Sequence, residues 1–187
     1  LHLSLRRQRQ MCIRDRYTRV DDTDNYAQIY QSDLCGWVGK LGYEKEDAWF
    51  SNVYTAEQAE FLSAAGFYAT GVDTQYEIYV CENFTDSSSL KQGLKKVASG
   101  SFVNEGYYTV DFDEMVKIEA GQKFAVVVKI KTPNEKKPVA VEYSSDYYTK
   151  TVNITDGEGY VSADGQEWVN TESTYACNLC LKCYTKR

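Results

Sequence analysis

Histidine is almost missing from this 187-residue chain, whose one imidazole belongs to His2. Without imidazoles in the body of the chain, neither a Ser-His-Asp triad nor a Cys-His pair can be built, and the commonest transition-metal ligand is gone. Long apolar runs are absent too: no stretch approaches the roughly 20 residues of a bilayer-spanning helix, and no secretion signal is visible. Helical patterning is scarce, with only residues 57–65 and 88–98 reading as short helix candidates. Positive charge is the last shortage. With 21 Lys and Arg against 27 Asp and Glu, the chain carries a formal charge of −6, which argues against a phosphate-backbone partner.

Much of that positive charge sits in one tract, Arg-Arg-Gln-Arg-Gln-Met-Cys-Ile-Arg-Asp-Arg, at residues 6–16. A basic run of this kind ordinarily suggests a nucleic-acid, nuclear-localisation or transit segment. Its order instead resembles, without a break, the translation of a transposase adapter used in shotgun sequencing. Residues 1–16 are therefore read as an adapter-derived, disordered leader on a metagenomic fragment whose natural N-terminus is missing, and are set aside. Removing its five Arg and one Asp leaves 16 basic and 26 acidic residues, a charge of −10. The remaining surface is distinctly acidic and suited to hard cations. Residues 17–25, with Val20-Asp21-Asp22-Thr23-Asp24-Asn25, read as the remnant of an interdomain linker, and residues 26–187 as one domain with a substantial core.

Five cysteines remain outside the leader: Cys35, Cys81, Cys177, Cys180 and Cys183. The last three form Cys-x-x-Cys-x-x-Cys, half of a zinc or iron-sulfur pattern. Strand alternation argues against metal, because it places Cys177, Leu179, Leu181 and Cys183 on one face and Cys180 on the other. These thiols read as small buried hydrophobes. A disulfide from Cys35 or Cys81 to one of the three stays open, and the odd count leaves at least one thiol over.

From residue 26 onward, strand-like segments alternate with turns. Residues 48–55 and 75–80 are aromatic and β-branched, residues 106–112 alternate, and residues 123–130 are nearly continuous in apolar character, as a strand in the middle of a sandwich should be. Residues 138–143 add another strand. Ala120-Gly121-Gln122 and Ala163-Asp164-Gly165-Gln166 supply turns. The pattern predicts an all-β fold, an antiparallel β-sandwich of jelly-roll type with one or two short helices. The 16 Tyr and 3 Trp fit either broad pleated packing or a carbohydrate-stacking surface. Trp37, Trp49 and Phe67 are expected in the core.

Tyr30-Gln-Ser-Asp-Leu-Cys-Gly-Trp37, Leu41-Gly-Tyr, Ala48-Trp-Phe-Ser-Asn-Val-Tyr-Thr-Ala56, Gly66-Phe-Tyr-Ala-Thr70, Gly121-Gln-Lys-Phe-Ala-Val-Val-Val-Lys129 and Ser162-Ala-Asp-Gly-Gln-Glu-Trp168 occur in an order and spacing that resembles a known family. It is the lectin-like domain found beside papain-like cysteine peptidases on the surface of clostridia and related Firmicutes. The resemblance covers nearly all of residues 26–187. Cys35 in the Asp-x-x-Gly-Trp turn, and Cys180 and Cys183 in the closing strand, depart from it.

The resemblance implies a jelly-roll sandwich C-terminal to a peptidase domain, secreted or held at the cell surface, with bound Ca2+ and carbohydrate binding as expected properties. Asp33, Glu46, Asp47 and Asn52, around loops bordering the first core strand, are the preferred calcium donors, with Asp73 and Asp164 in reserve. Tyr147, Tyr148, Tyr160 and Trp168 lie in a turn-rich region and are the candidate sugar platform. Residues 162–168 are also similar to the Asp-box hairpin of sialidases, one residue short between Asp and Gly, and are read as a structural turn closed by Trp168. Peptidase chemistry belongs to the upstream domain, since this fragment has no imidazole for it. The expected role is a non-catalytic accessory module whose partners are that peptidase domain and a cell-wall or host glycan, with no nucleic acid and no membrane insertion. The alternative is a spacer or folding brace that packs on the peptidase and binds no sugar. A His-free glycosidase working with two carboxylates ranks third.

Overall fold

The computed structural model describes residues 25–145, 149, 151–154 and 158–187. The leader, all but the last residue of the proposed linker, and Tyr147 and Tyr148 of the candidate sugar platform lie outside the described residues.

The strands are β1 (Gln28–Tyr30), β2 (Gly39–Leu41), β3 (Asp47–Thr55), β4 (Glu60–Ala69), β5 (Thr74–Cys81), β6 (Lys95–Phe102), β7 (Gly106–Ile118), β8 (Lys123–Lys131), β9 (Val139–Glu142), β10 (Gly159–Ser162), β11 (Val169–Asn170), β12 (Asn178–Leu179) and β13 (Leu181–Lys186). A 3-10 turn at Ser87–Leu90 and a five-residue helix α1 (Thr171–Tyr175) complete the described elements. A six-stranded sheet runs β11-β10-β3-β8-β5-β6, a four-stranded sheet β1-β13-β4-β7, and a small third sheet β12-β9-β2. Neighbouring strands pair antiparallel throughout the described residues. The expected all-β antiparallel sandwich is what the chain forms.

Phe50 and Tyr54 of β3, Ile78 and Val80 of β5, and Phe124, Val126, Val128 and Ile130 of β8 meet Leu62 and Phe67 of β4, Val116 of β7, and Leu181 and Cys183 of β13 in one core. Strand β8 is buried on both faces from Phe124 to Val128. Its other phase, Ala125 and Val127, joins Val53, Cys81 and Leu90 in a second cluster on the outer face of the six-stranded sheet. That double burial explains its unbroken apolar run.

Residues 57–65 do not form a helix: from Glu60 they are strand β4, held between β13 and β7. Two flanking ladders and the burial of Leu62, Ala65 and Phe67 outweigh the helix preference of Glu and Ala. Residues 88–98 likewise give one 3-10 turn and the start of β6.

Buried polar side chains tie strands together within the four-stranded sheet and across to the six-stranded one. The Tyr30 hydroxyl donates to Glu60 Oε1 at 2.5 Å and Thr185 Oγ1 to Glu60 Oε2 at 2.6 Å, which joins β1, β4 and β13. Strands β12 and β13 are nearly one strand that changes sheets at Cys180. At this crossing the Leu181 carbonyl accepts from Asn52 Nδ2 (2.9 Å) and the Tyr54 hydroxyl (2.8 Å), so the backbone group freed by the switch stays satisfied. Among the described residues no helix is long and apolar enough to cross a membrane.

Candidate functional site

The sheet-switching strand presents Cys177, Leu179, Leu181 and Cys183 to the core, as alternation predicted. Its opposite phase carries Asn178, Cys180 and Lys182 toward the loop between β1 and β2. In that loop Asp33 is 1% exposed, and neither carboxylate oxygen has a hydrogen-bond partner. Lys182 Nζ stands 3.8 Å from Oδ2. Burial pushes the Asp33 carboxyl up to about 6 although Lys182 pulls the other way.

Glu142 ends β9 beside it, also 1% exposed, and accepts from the Cys35 backbone N–H and from Asn178 Nδ2 at 2.9 Å. The same Asn178 nitrogen has the Asn153 carbonyl at 2.8 Å and the Ser32 carbonyl at 3.3 Å, three acceptors around a group with two protons. Asn178 Oδ1 and Asn52 Oδ1 are buried with no partner. The result is an oxygen-rich, under-satisfied buried pocket.

Only two carboxylates meet here, and among the described residues no group of three His, Cys, Asp or Glu is placed to hold a metal. A hard cation would have to complete its shell with carbonyl and amide oxygens, which calcium accepts and zinc does not favour. Calcium would draw on Asp33, Glu142, the Asn178 side chain and the Ser32 and Asn153 carbonyls only with the Asn178 amide turned over, because its nitrogen now stands among Glu142, Ser32 and Asn153.

Of the four donors expected from sequence, Asp33 belongs to this pocket and Asn52 borders it through Ser32. Glu46 and Asp47 do not join them. They lie at and just before the start of β3, five and six residues from Asn52, or about 16 to 20 Å at strand rise. There Glu46 Oε1 accepts from Asn134 N at 2.9 Å, and Asp47 is exposed opposite Lys131. Asp73 takes a left-handed turn at φ 53°. Asp164 Oδ1 accepts from Gln166 N (2.8 Å) and Glu167 N (3.2 Å), which holds its carboxyl below the ordinary range. Glu142 and Asn178 were missed, although a Glu closing the apolar run Val139-Ala140-Val141 was a visible signal.

The second assembly is on the outer face of the six-stranded sheet. Register aligns Ser162, Trp49, Lys129, Glu77 and Ser99 in one row across β10, β3, β8, β5 and β6, and Asp47, Lys131, Gln75 and Ser101 in the next. The rows nearer Val53 are covered by Phe84, Leu90 and Leu94. The rows of Lys129 and Lys131 stay open as a cleft of about 500 Å³.

Glu77 organises this cleft, with Lys96 Nζ at 2.8 Å, the Tyr79 hydroxyl at 2.7 Å and Lys129 Nζ at 3.0 Å. These donors hold its carboxyl down at about 2. Trp49 and Tyr79 stack at 5.7 Å and 25°, with Lys129 Nζ 5.5 Å from the indole centroid. Trp49 and Trp37 are therefore half-buried rather than core residues, while Phe67 is fully buried as expected. Alternation puts Trp49 in the outward phase between Ala48 and Phe50.

Tyr160 and Trp168 join the outer cluster beside Trp49, and Tyr160 also packs on Phe84 at 5.7 Å. The hairpin that carries Trp168 is a structural turn. Trp168 Nε1 donates to the Gly165 carbonyl at 3.1 Å, and Gly165, at φ 76°, leaves only 3.0 Å between a would-be Cβ and the Trp49 ring. The cysteines of the described residues are all free, with Cys35 exposed and Cys81, Cys177, Cys180 and Cys183 buried.

The family model described as "Lectin like domain" matches residues 29–185. No curated protein matches the chain. Two solved structures superpose on most of it. One is the clostridial cysteine protease Cwp84 after propeptide cleavage, at a TM-score of 0.73 and 20% identity over 90% of this chain and 42% of that one. The other holds the cysteine protease and lectin-like domains of Cwp84, a surface layer associated protein of Clostridium difficile, at a TM-score of 0.68 and 20% identity over 89% and 37%. The chain thus spans less than half the length of these structures, and the likeness at this identity is one of fold. It corresponds to the non-catalytic lectin-like part, not to a protease. From residue 29 to residue 185, this chain belongs to the lectin-like domain family.

Proposed function

We propose that this domain is the carbohydrate-binding accessory module of a bacterial cell-surface cysteine peptidase, braced internally by a calcium ion. The observation that carries the glycan reading is the half-open outer sheet face, where a stacked indole borders a cleft lined with amide, hydroxyl and charged groups. Sugar recognition uses that pairing of a flat apolar ring with polar groups that fix orientation. Tyr160 and Trp168 back this face. A surface location is supported by the surface-layer association of the structurally similar Cwp84.

A glycan array followed by calorimetry tests the reading. Binding is expected, and Gln75→Ala and Ser101→Ala, both in the cleft lining, should weaken it with the fold intact by circular dichroism. Silence across the array would leave the domain as a packing brace.

That second role has its own support on the opposite face of the molecule. Trp37, Tyr68, Tyr107, Tyr184 and Tyr26 run across the four-stranded sheet, with ring centroids 5.5 Å (Trp37–Tyr68), 5.0 Å (Tyr68–Tyr107) and 4.6 Å (Tyr26–Tyr184) apart, and the Tyr107 and Tyr184 hydroxyls are bonded at 2.6 Å. Ile29 and Phe61 on this sheet are 47% and 37% exposed. A face of this kind suits packing on an adjoining domain. The calcium brace is supported by the orphaned oxygens of Asp33, Asn52 and Asn178. If chelator leaves the melting temperature unchanged and added calcium does not raise it, the brace is refuted.

A further inference from the structure

Resting on the glycan-binding reading, we propose that the cleft of the six-stranded sheet selects polysaccharides bearing acidic groups, carboxylate or phosphate. Residues 17–187 carry −10, yet this cleft gathers Lys96, Lys129 and Lys131 around the single carboxylate of Glu77. Asp47 stands at the rim, opposite Lys131. Glu77 positions the ammonium groups of Lys96 and Lys129, and each keeps further N–H donors for a ligand. Lys131 makes no ion pair among the described residues, and only its cross-strand neighbour Asp47 offsets its charge.

On the edge strand β6 the cleft wall carries the outward hydroxyls of Ser99 and Ser101 on either side of Gly100. A neutral sugar could accept hydrogen bonds from these ammonium groups but would leave the net positive charge of the cleft unmatched. A nucleic acid would use them, but its dense charge would also meet the acidic remainder of the domain. A polysaccharide with spaced acidic groups satisfies both conditions.

Calorimetry of the intact chain with three polymers, at low and at high salt, tests this. The probes are polygalacturonate for carboxylate, polyglycerol phosphate for phosphate, and fully methyl-esterified pectin as the neutral counterpart. Binding is expected for at least one polyanion and not for the ester, and whichever polyanion binds names the acidic group. Salt should weaken binding, and Lys131→Gln should cost about fivefold in affinity with no change in melting temperature. Lys96→Gln, a second probe at the opposite wall, should lower affinity in the same sense. Equal binding of the ester, indifferent to salt and to both substitutions, would overturn the charge selection while leaving the glycan reading in place. Polyanion binding that both substitutions leave unchanged would also overturn it, by placing the ligand elsewhere. No binding of any polymer, together with a silent glycan array, would remove both.

Discussion

Asp33 offers the sharpest test of the buried pocket. Its carboxyl is pushed up to about 6 by burial, against about 3.9 for an unfolded aspartate. The unfolded chain therefore releases this proton first as pH rises. Between about pH 4 and pH 6 the folded state holds the extra proton, so metal-free stability falls across that window and is level above it. The difference between the folded and unfolded carboxyl is worth about 3 kcal/mol at most. In EDTA, urea unfolding should show the wild-type domain losing up to about 3 kcal/mol between pH 4 and pH 7. Asp33→Asn should flatten this dependence. At pH 7 without metal it should gain about 1 to 2 kcal/mol, the remainder being lost to an unpaired buried amide. Calcium at a hundred times its dissociation constant should return about 2.7 kcal/mol to the wild type and nothing to Asp33→Asn. A wild-type domain whose stability in EDTA is level from pH 4 to 7, or an Asp33→Asn variant that still gains from calcium, would refute the reasoning.

Glu60→Ala removes the shared acceptor of the Tyr30 and Thr185 hydroxyls and should cost about 3 to 5 kcal/mol by urea unfolding, more than a cavity of that size alone. At Gly66 a Cβ would fall 2.0 Å from the Tyr107 hydroxyl and 2.9 Å from the Tyr184 ring, so Gly66→Ala should cost about 1 to 3 kcal/mol. Tyr107→Ala on that background should recover part of the loss, as a double-mutant cycle would show. Brief maleimide labelling of the native domain with peptide mapping should modify Cys35 and spare Cys81, Cys177, Cys180 and Cys183, whose thiols are buried; a labelled Cys180 would contradict the closed pocket around Asp33.

Strand phase was readable in the sequence wherever the two faces of a strand differ in solvent exposure. Residues 123–130 announced double burial, and the Cys177 to Cys183 alternation survived in the structure because a strand that changes sheets keeps its period of two. Residues 57–65 misled because a run rich in Glu and Ala has real helical preference, and only the ladders from β13 and β7 overrule it. For residues 60–65 those ladders join partners 45 to 58 and 118 to 125 positions away, out of reach of any local window. The placement of the expected calcium donors was illegible for a related reason. Glu46, Asp47 and Asn52 are close along the chain, but an extended strand separates its ends faster than any other element, so proximity in sequence dispersed the expected calcium donors. The pocket that does form draws Asp33, Glu142 and Asn178 from three distant segments.

The same geometry would let one small sandwich accommodate the two partners proposed for it. Strand β8 lies at the middle of the six-stranded sheet, with its inward phase in the main core and its outward phase covered at one end and open at the other. A ligand in the open cleft bears on side chains of β5, β6 and β8, whereas a domain packed on the Tyr107 and Tyr184 face bears on β4, β7 and β13. Between the two faces lie the close-packed core and the Asn52 and Tyr54 bonds to the Leu181 carbonyl, all rigid. Variants on either face should therefore leave the other's affinity within about half a kcal/mol of additivity. Measuring glycan affinity in Tyr107→Ala and melting temperature in Lys131→Gln reads both directions, and coupling well beyond that bound would mean that the sandwich transmits strain between its faces.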